Sequence, residues 1–155
     1  KASARFMAKV VLPSPGTADV TNNNASANTL ADVTGLQFPV TAGVQYRFRF
    51  VIMYTAAATT TGSRWTINGP ALTALSYRSH YSLTATSRTF NEGQTGYGTP
   101  AASNASSLAA GNVAVIEGIV TPSASGNLVA RFASEISSSA IVAKAGSYVN
   151  FEALT

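Results

Sequence analysis

Apolar and polar residues alternate along much of this chain with a period of two, the repeat of a strand with one buried and one solvated face. The clearest case is residues 43–54, "GVQYRFRFVIMY". On a strand, Tyr46, Phe48, Phe50, Ile52 and Tyr54 share one face, and Gln45, Arg47, Arg49, Val51 and Met53 the other. The arginines therefore stand with one another and not among the aromatics. A base-stacking platform needs exposed aromatics surrounded by cations. The pattern predicts a core strand and argues against nucleic-acid binding.

The same reading extends to both sides. Residues 4–12 read as a first strand stopped by "PSPG" at 13–16, and 17–34 as a loop whose "NNN" at 22–24 suits backbone-capping turns. A short strand over 36–40 leads through "TAG" into the strand just described. "SRWTI" (63–67) is predicted to form a hairpin with 74–85 through Asn68-Gly69, since both turn residues accept positive φ. Pro70 would delay the second strand. On 74–85, Leu75, Tyr77, Ser79, Tyr81 and Leu83 share one side, with Ser76, Arg78, His80 and Ser82 on the other.

Residues 86–111 show little periodicity, and so long a loop within a domain calls for an edge strand near Arg88–Phe90 or a partner. Residues 112–120 and 127–136 are expected to pair about "TPSASG". That register would set Glu117 opposite Arg131, Ile116 opposite Phe132 and Val120 opposite Leu128. One or two strands over 140–154 close the fold. About eight short strands separated by turns predict an all-β, antiparallel β-sandwich of jelly-roll type. A chain of 155 residues suits a single domain, 1–155.

Composition narrows the class. Charged residues make up 10% of the chain, against about 25% in ordinary globular proteins. Its surface must be built from Ser, Thr, Asn, Ala and Gly, as in β-rich extracellular and virion proteins. The net charge of +4 is scattered without a basic block, which supports only weak attraction to acidic surfaces. No apolar run approaches the ~18 residues of a membrane helix, so no membrane insertion is expected. The sequence opens on Lys1 without a signal peptide, which reads as a processed chain or an excised domain. Cysteine is absent, and with it any disulfide, thiolate metal site or cysteine nucleophile.

Catalysis needs a constellation, and none assembles along the chain. His80 is the single histidine, set mid-strand between Ser79 and Tyr81 with no acid at a telling spacing; it reads as a surface or interface histidine. The acids Asp19, Asp32, Glu92, Glu117, Glu135 and Glu152 are dispersed, without the local pairing of a glycosidase. Asp19 and Asp32 with loop carbonyls are the one conceivable calcium set, and they lack EF-hand spacing. "NEGQTGYG" (91–98) has neither the dinucleotide nor the P-loop pattern and no helix after it. The "NAS" triplets at 24–26 and 104–106 match glycosylation acceptors, which a chain this rich in Asn, Ala and Ser produces by chance. No enzyme activity, cofactor or metal is expected.

"GLQFPVTAGVQYRFRFVIMY" resembles the short strand, glycine turn and aromatic strand of C1q/tumour-necrosis-factor-like jelly rolls. "GSRWTINGPA", "GIVTPSASGNLVARFASEI" and "VAKAGSYVNFEAL" resemble small jelly rolls at the C-termini of fibre, tail and capsid-associated proteins of tailed bacteriophages. The resemblance covers most of residues 28–154, with 86–111 as the variable part, and its motifs are architectural. It implies a homotrimer in a virion, serving host-surface binding on a fibre or tail. The alternative is a capsid decoration or head fibre, and a non-viral lectin-like carbohydrate-binding module comes third. The implied trimer interface is the outer face of strand 44–54, Arg47, Arg49, Val51 and Met53, with Tyr77 and Tyr81. Candidate ligand-binding residues are Phe90, Asn91, Glu92, Gln94 and Tyr97, joined by Trp65 if it is exposed; their mix of ring, amide and carboxylate suits a host glycan or surface protein. "KASARFMAKVV" would connect to other virion proteins. Loops at the distal end would favour adhesion; a binding surface at the terminus-bearing end would favour cementing.

Overall fold

The computed structural model of the chain describes residues 8–11, 19–103 and 108–154. Among them run eleven strands: β1 (Ala8–Val11), β2 (Val20–Asn22), β3 (Ala31–Val40), β4 (Tyr46–Ala56), β5 (Ser63–Asn68), β6 (Leu72–Ser82), β7 (Arg88–Gln94), β8 (Asn112–Pro122), β9 (Gly126–Ser134), β10 (Ile141–Ala143) and β11 (Tyr148–Ala153). All pairings are antiparallel. The large sheet has the order β1-β11-β4-β8-β6-β7, with β10 beside the last residues of β4 and β2 beyond β10. The small sheet is β3-β9-β5. Together they form a β-sandwich.

The core follows from the alternation. On β4, Tyr46, Phe48, Phe50, Ile52 and Tyr54 are all buried, the face read from sequence. Each fully buried side chain of this size contributes about 1.5–3 kcal/mol from apolar area alone. Facing aromatics bind the sheets together. Phe38 of β3 stacks on Phe151 of β11 with ring centres 4.2 Å apart, and Trp65 of β5 meets Tyr54 of β4 at 4.8 Å. Trp65 is fully buried and donates Nε1–H to Ser63 Oγ at 2.9 Å, so it presents no surface to a ligand.

Several expected connections differ. The Asn68-Gly69 hairpin does not form: β5 pairs with β9, whereas β6 pairs with β7 and β8, so the chain crosses from one sheet to the other. Neither Asn68 nor Gly69 takes positive φ. A β-carbon at Gly69 would instead lie 2.8 Å from the Tyr97 hydroxyl and 2.9 Å from Leu128 Cδ1, so a larger residue would have to displace the ends of those two side chains. The β8–β9 ladder is absent for the same reason, β8 belonging to the large sheet and β9 to the small one. Glu117 accordingly meets Arg78 and Arg49 rather than Arg131, which pairs with Asp32 at 2.6 Å.

The stretch 17–34 is less of a loop than its composition suggested. It holds β2 and the first residues of β3, a strand that reaches residue 40 through a register shift with Gly35 at φ 93°. Asn22 and Asn24 are buried, and their side chains bond backbone atoms of Phe132 and Ser134 at the end of β9. The expected strand over 4–12 is represented by β1, and its other residues fall outside the described ones.

Candidate functional site

Strand register decides which side chains stand together on the outer face of the large sheet. Arg49 lies between Asn150 and Glu117, and Glu117 lies between Arg49 and Arg78. The result is a polar row across four strands, charged on three of them. Arg78 donates Nε–H and Nη2–H to Glu117 Oε1 at 2.8 and 2.7 Å, while Arg49 Nε sits 3.3 Å from Oε2. Glu92 of β7 is 3.9 Å from Arg78 Nη1. A groove of about 570 Å³ follows this row, lined among others by Arg47, Arg49, Arg78, Glu92, Glu117 and Ile119.

The next row is apolar. Tyr148, Val51, Val115, His80 and Phe90 stand side by side across β11, β4, β8, β6 and β7, followed by Met53 beside Val113. Met53, Ile119 and Phe90 are exposed, Phe90 at 66%. His80 lies against the Phe90 ring, with centres 5.6 Å apart. Its Nδ1 is buried and has no hydrogen-bond partner. Burial holds the imidazole below its ordinary pKa, reinforced by the cationic Arg88, Arg78 and Arg49 and opposed by Glu117.

Of the predicted interface residues, Arg47, Arg49, Val51 and Met53 do share this face. Arg47 is tied to the nearly buried Glu152 at 2.7 Å. Tyr77 and Tyr81 do not belong with them. They point inward from β6, 3% and 0% exposed, and form part of the monomer core. That corrects their assignment to an interface. Burial raises the pKa of both hydroxyls, to about 12 for Tyr81.

The predicted ligand residues separate. Phe90 and Glu92 point outward from β7, while Asn91 is buried between them, as strand alternation requires. Asn91 donates Nδ2–H to the Tyr81 hydroxyl at 3.1 Å and accepts the Ala101 amide at 2.9 Å. Tyr81 in turn donates to the Ala101 carbonyl. Gln94 accepts the Thr99 hydroxyl at 2.8 Å, and Tyr97 donates to the Pro70 carbonyl at 2.8 Å. Asn91, Gln94 and Tyr97 thus fasten residues 95–103 along the seam between β5 and β7, the edge strands of the two sheets. Ser103 completes the strap by exchanging backbone and hydroxyl bonds with Ser63 at 2.9 and 3.0 Å. The length of this segment has a structural purpose, and three of the five ligand candidates are spent on it.

A further cluster lies at one end of the sandwich. Ala8 pairs with Phe151 and Ala153 pairs with Tyr46, so both are at the Tyr46 end. At the other end Tyr54 pairs with Asn112, and residues 83–87 turn β6 into β7. Two depressions, of about 620 and 420 Å³, meet there and share Ser82, Thr84, Ala85 and Arg88. Lys144 and Leu108 line the first, and Ser87 and Phe90 the second. Arg88 donates Nη1–H to the Val113 carbonyl at 3.0 Å. Sequence reasoning passed over Arg88 as a ligand contact, although "SRTF" held the signal: on a strand, Arg88 and Phe90 fall on one face.

Asp19 and Asp32 do not converge as a calcium set. Lys144 and the Ala145 amide bond Asp19, holding its carboxyl below the usual range, and Arg131 takes Asp32. Among the described residues no group of three His, Asp or Glu could hold a metal ion. Asn24, in one of the two glycosylation triplets, is buried with its amide bonded; Asn104 lies outside the described residues. No protein-family model, curated protein or solved structure matches this chain.

Proposed function

We propose that the chain is a trimeric jelly-roll domain of a bacteriophage fibre or tail protein and acts in host-surface binding. The observation that carries this reading is the polarity of the sandwich. Ala8 and Ala153 lie at one end, and the depressions around Arg88, Phe90 and Leu108 lie at the other. An attachment module needs this division, one end joined to the particle and the other presented to the cell. A capsid-decoration role would put the binding surface at the terminus-bearing end instead.

Trimer formation would use the outer face of the large sheet. Exposed Met53 lies there beside Val113, with half-buried Val51 next along the same strand face and the charged row of Arg49, Glu117 and Arg78 beyond it, and apolar surface rimmed by charge marks an interaction face. Light scattering on the purified domain is expected to give three times the chain mass. Met53→Asp and Arg49→Glu are expected to give monomers with an unchanged circular dichroism spectrum. A monomeric wild type would overturn the trimer. A screen of immobilised bacterial surface polysaccharides that yields no binder would overturn attachment.

A further inference from the structure

Arg88 differs from most of its counterparts. Arg47, Arg49, Arg78, Arg131 and Lys144 each have a carboxylate within 4.0 Å, whereas no such ion pair includes Arg88 among the described residues. A backbone carbonyl, that of Val113, orients its guanidinium instead. Such a bond fixes the group without neutralising it, and uses one of its five N–H donors. Neither adjoining depression is lined by an acid, and the larger also includes Lys144. Two residues along the same strand face, Phe90 presents a ring that the core does not use. Between β6 and β7 the turn carries Thr84, Thr86 and Ser87, with the Thr84 and Ser87 hydroxyl oxygens 2.6 Å apart.

These groups form an oriented cation, an apolar plate and a hydroxyl-lined edge at one corner. We propose that this corner binds a saccharide bearing a carboxylate, of the sialic or uronic acid class. The planar carboxylate takes the free N–H groups of Arg88 in a two-bond fork. The C–H face of the sugar ring covers Phe90, and its hydroxyls reach the 84–87 turn. A neutral sugar would leave the guanidinium covered and unpaired, which disfavours it. This inference rests on the attachment reading above and names the ligand class.

The test is an amide-resolved NMR titration of the whole chain with sialyllactose and digalacturonate as acidic sugars, lactose as a neutral sugar, and acetylglutamate as a carboxylate without a sugar. At least one acidic sugar is expected to shift amides within 82–90 and to bind about tenfold more tightly than lactose, which lacks the charge-assisted fork, and more tightly than acetylglutamate, which lacks the ring for Phe90. Arg88→Gln is expected to reduce that sugar to the level of lactose. Phe90→Ala is expected to weaken all the sugars and leave acetylglutamate unchanged. Both side chains are outside the core, so an unchanged Tm verifies the fold of each variant. Equal binding by acetylglutamate would overturn the proposal in favour of a simple anion site. Equal binding by lactose would overturn the acidic class and leave the attachment reading standing. The absence of any shift within 82–90 would overturn the site itself, and the polysaccharide screen then decides separately whether attachment survives.

Discussion

Gly118 of β8 and Tyr77 of β6 stand with no room between them: a β-carbon on Gly118 would lie 2.6 Å from both Cα and Cβ of Tyr77. It would also lie 2.2 Å from the Ser76 carbonyl oxygen. The φ of Gly118 is not positive, so the position demands space and not conformational freedom. Gly118→Ala must push β6 away from β8, a backbone form of overpacking that costs about 3 kcal/mol. Urea unfolding is expected to show a lower midpoint with an unchanged slope. A midpoint equal to that of wild type would mean that the two strands part freely here.

The ring of bonds joining Asn91, Tyr81 and Ala101 makes a second prediction. Tyr81→Phe keeps the packing and removes the donor to the Ala101 carbonyl, at a cost of about 1–2 kcal/mol. Hydrogen exchange at the Ala101 and Ser103 amides is expected to accelerate, because the strap loses an anchor. Burial lifts the Tyr81 pKa from 10.0 to about 12, so the fold retains a proton that the unfolded chain sheds. Stability is therefore intact below pH 10 and falls as pH rises towards 12. Tyr81→Phe is expected to flatten part of that alkaline decline, with Tyr97, also raised to about 12, supplying more of it. An unaltered alkaline slope would contradict the assignment.

Period-two alternation made β4 and β6 legible, because each buries one face and exposes the other. Pairing was a different matter. Asn68-Gly69 and "TPSASG" look like hairpin turns locally, yet both connect opposite sheets, and nothing in a short-range pattern distinguishes a turn within a sheet from a crossing between two. The Glu117–Arg131 pairing failed on that account: each residue found its charge on a neighbour distant in sequence, Glu117 on Arg49 and Arg78, Arg131 on Asp32. For the candidate site, alternation correctly put Arg47, Arg49, Val51 and Met53 on one face. It would have placed Asn91 inward had 91–94 been read as strand rather than loop.

Asn24 behaves as a strand residue through its side chain. Its Oδ1 accepts the Ser134 amide at 3.0 Å and its Nδ2 donates to the Ser134 carbonyl at 3.2 Å, reproducing a ladder pair at the end of β9. Asn24→Ala takes this partner from the buried Ser134 amide, while the carbonyl keeps the Asn28 amide at 2.8 Å, and is expected to cost about 1–3 kcal/mol. Asn24→Asp keeps the acceptor but sets a carboxylate against the Ser134 carbonyl, so it is expected to be no better tolerated at pH 7. Asn23→Ala, one residue away at an exposed position, serves as the control with little change. If Asn24→Ala matched that control in a thermal melt, the side-chain ladder would contribute nothing.

His80 ties stability to mildly acid pH. Arg88 from β7, Arg78 from its own strand and Arg49 from β4 oppose its protonation, Glu117 from β8 favours it, and burial beneath Phe90 and beside Val115 is the largest influence. The folded pKa consequently lies below the ordinary 6.5. As pH falls through 6.5 the unfolded chain takes up a proton that the native imidazole refuses. Stability must drop from there until the folded pKa is passed, and then level off. Glu135, whose pKa burial raises, adds a slope of opposite sign above 4.5, so the comparison is made against a His80→Gln variant in which Glu135 is retained. The difference in unfolding free energy between the two proteins is expected to change between pH 7 and 5 in that direction. Because the chain has a single histidine, one imidazole resonance reports its native pKa. A value at or above 6.5 would mean that His80 is more open to water, or closer to Glu117, than its packing against Phe90 requires.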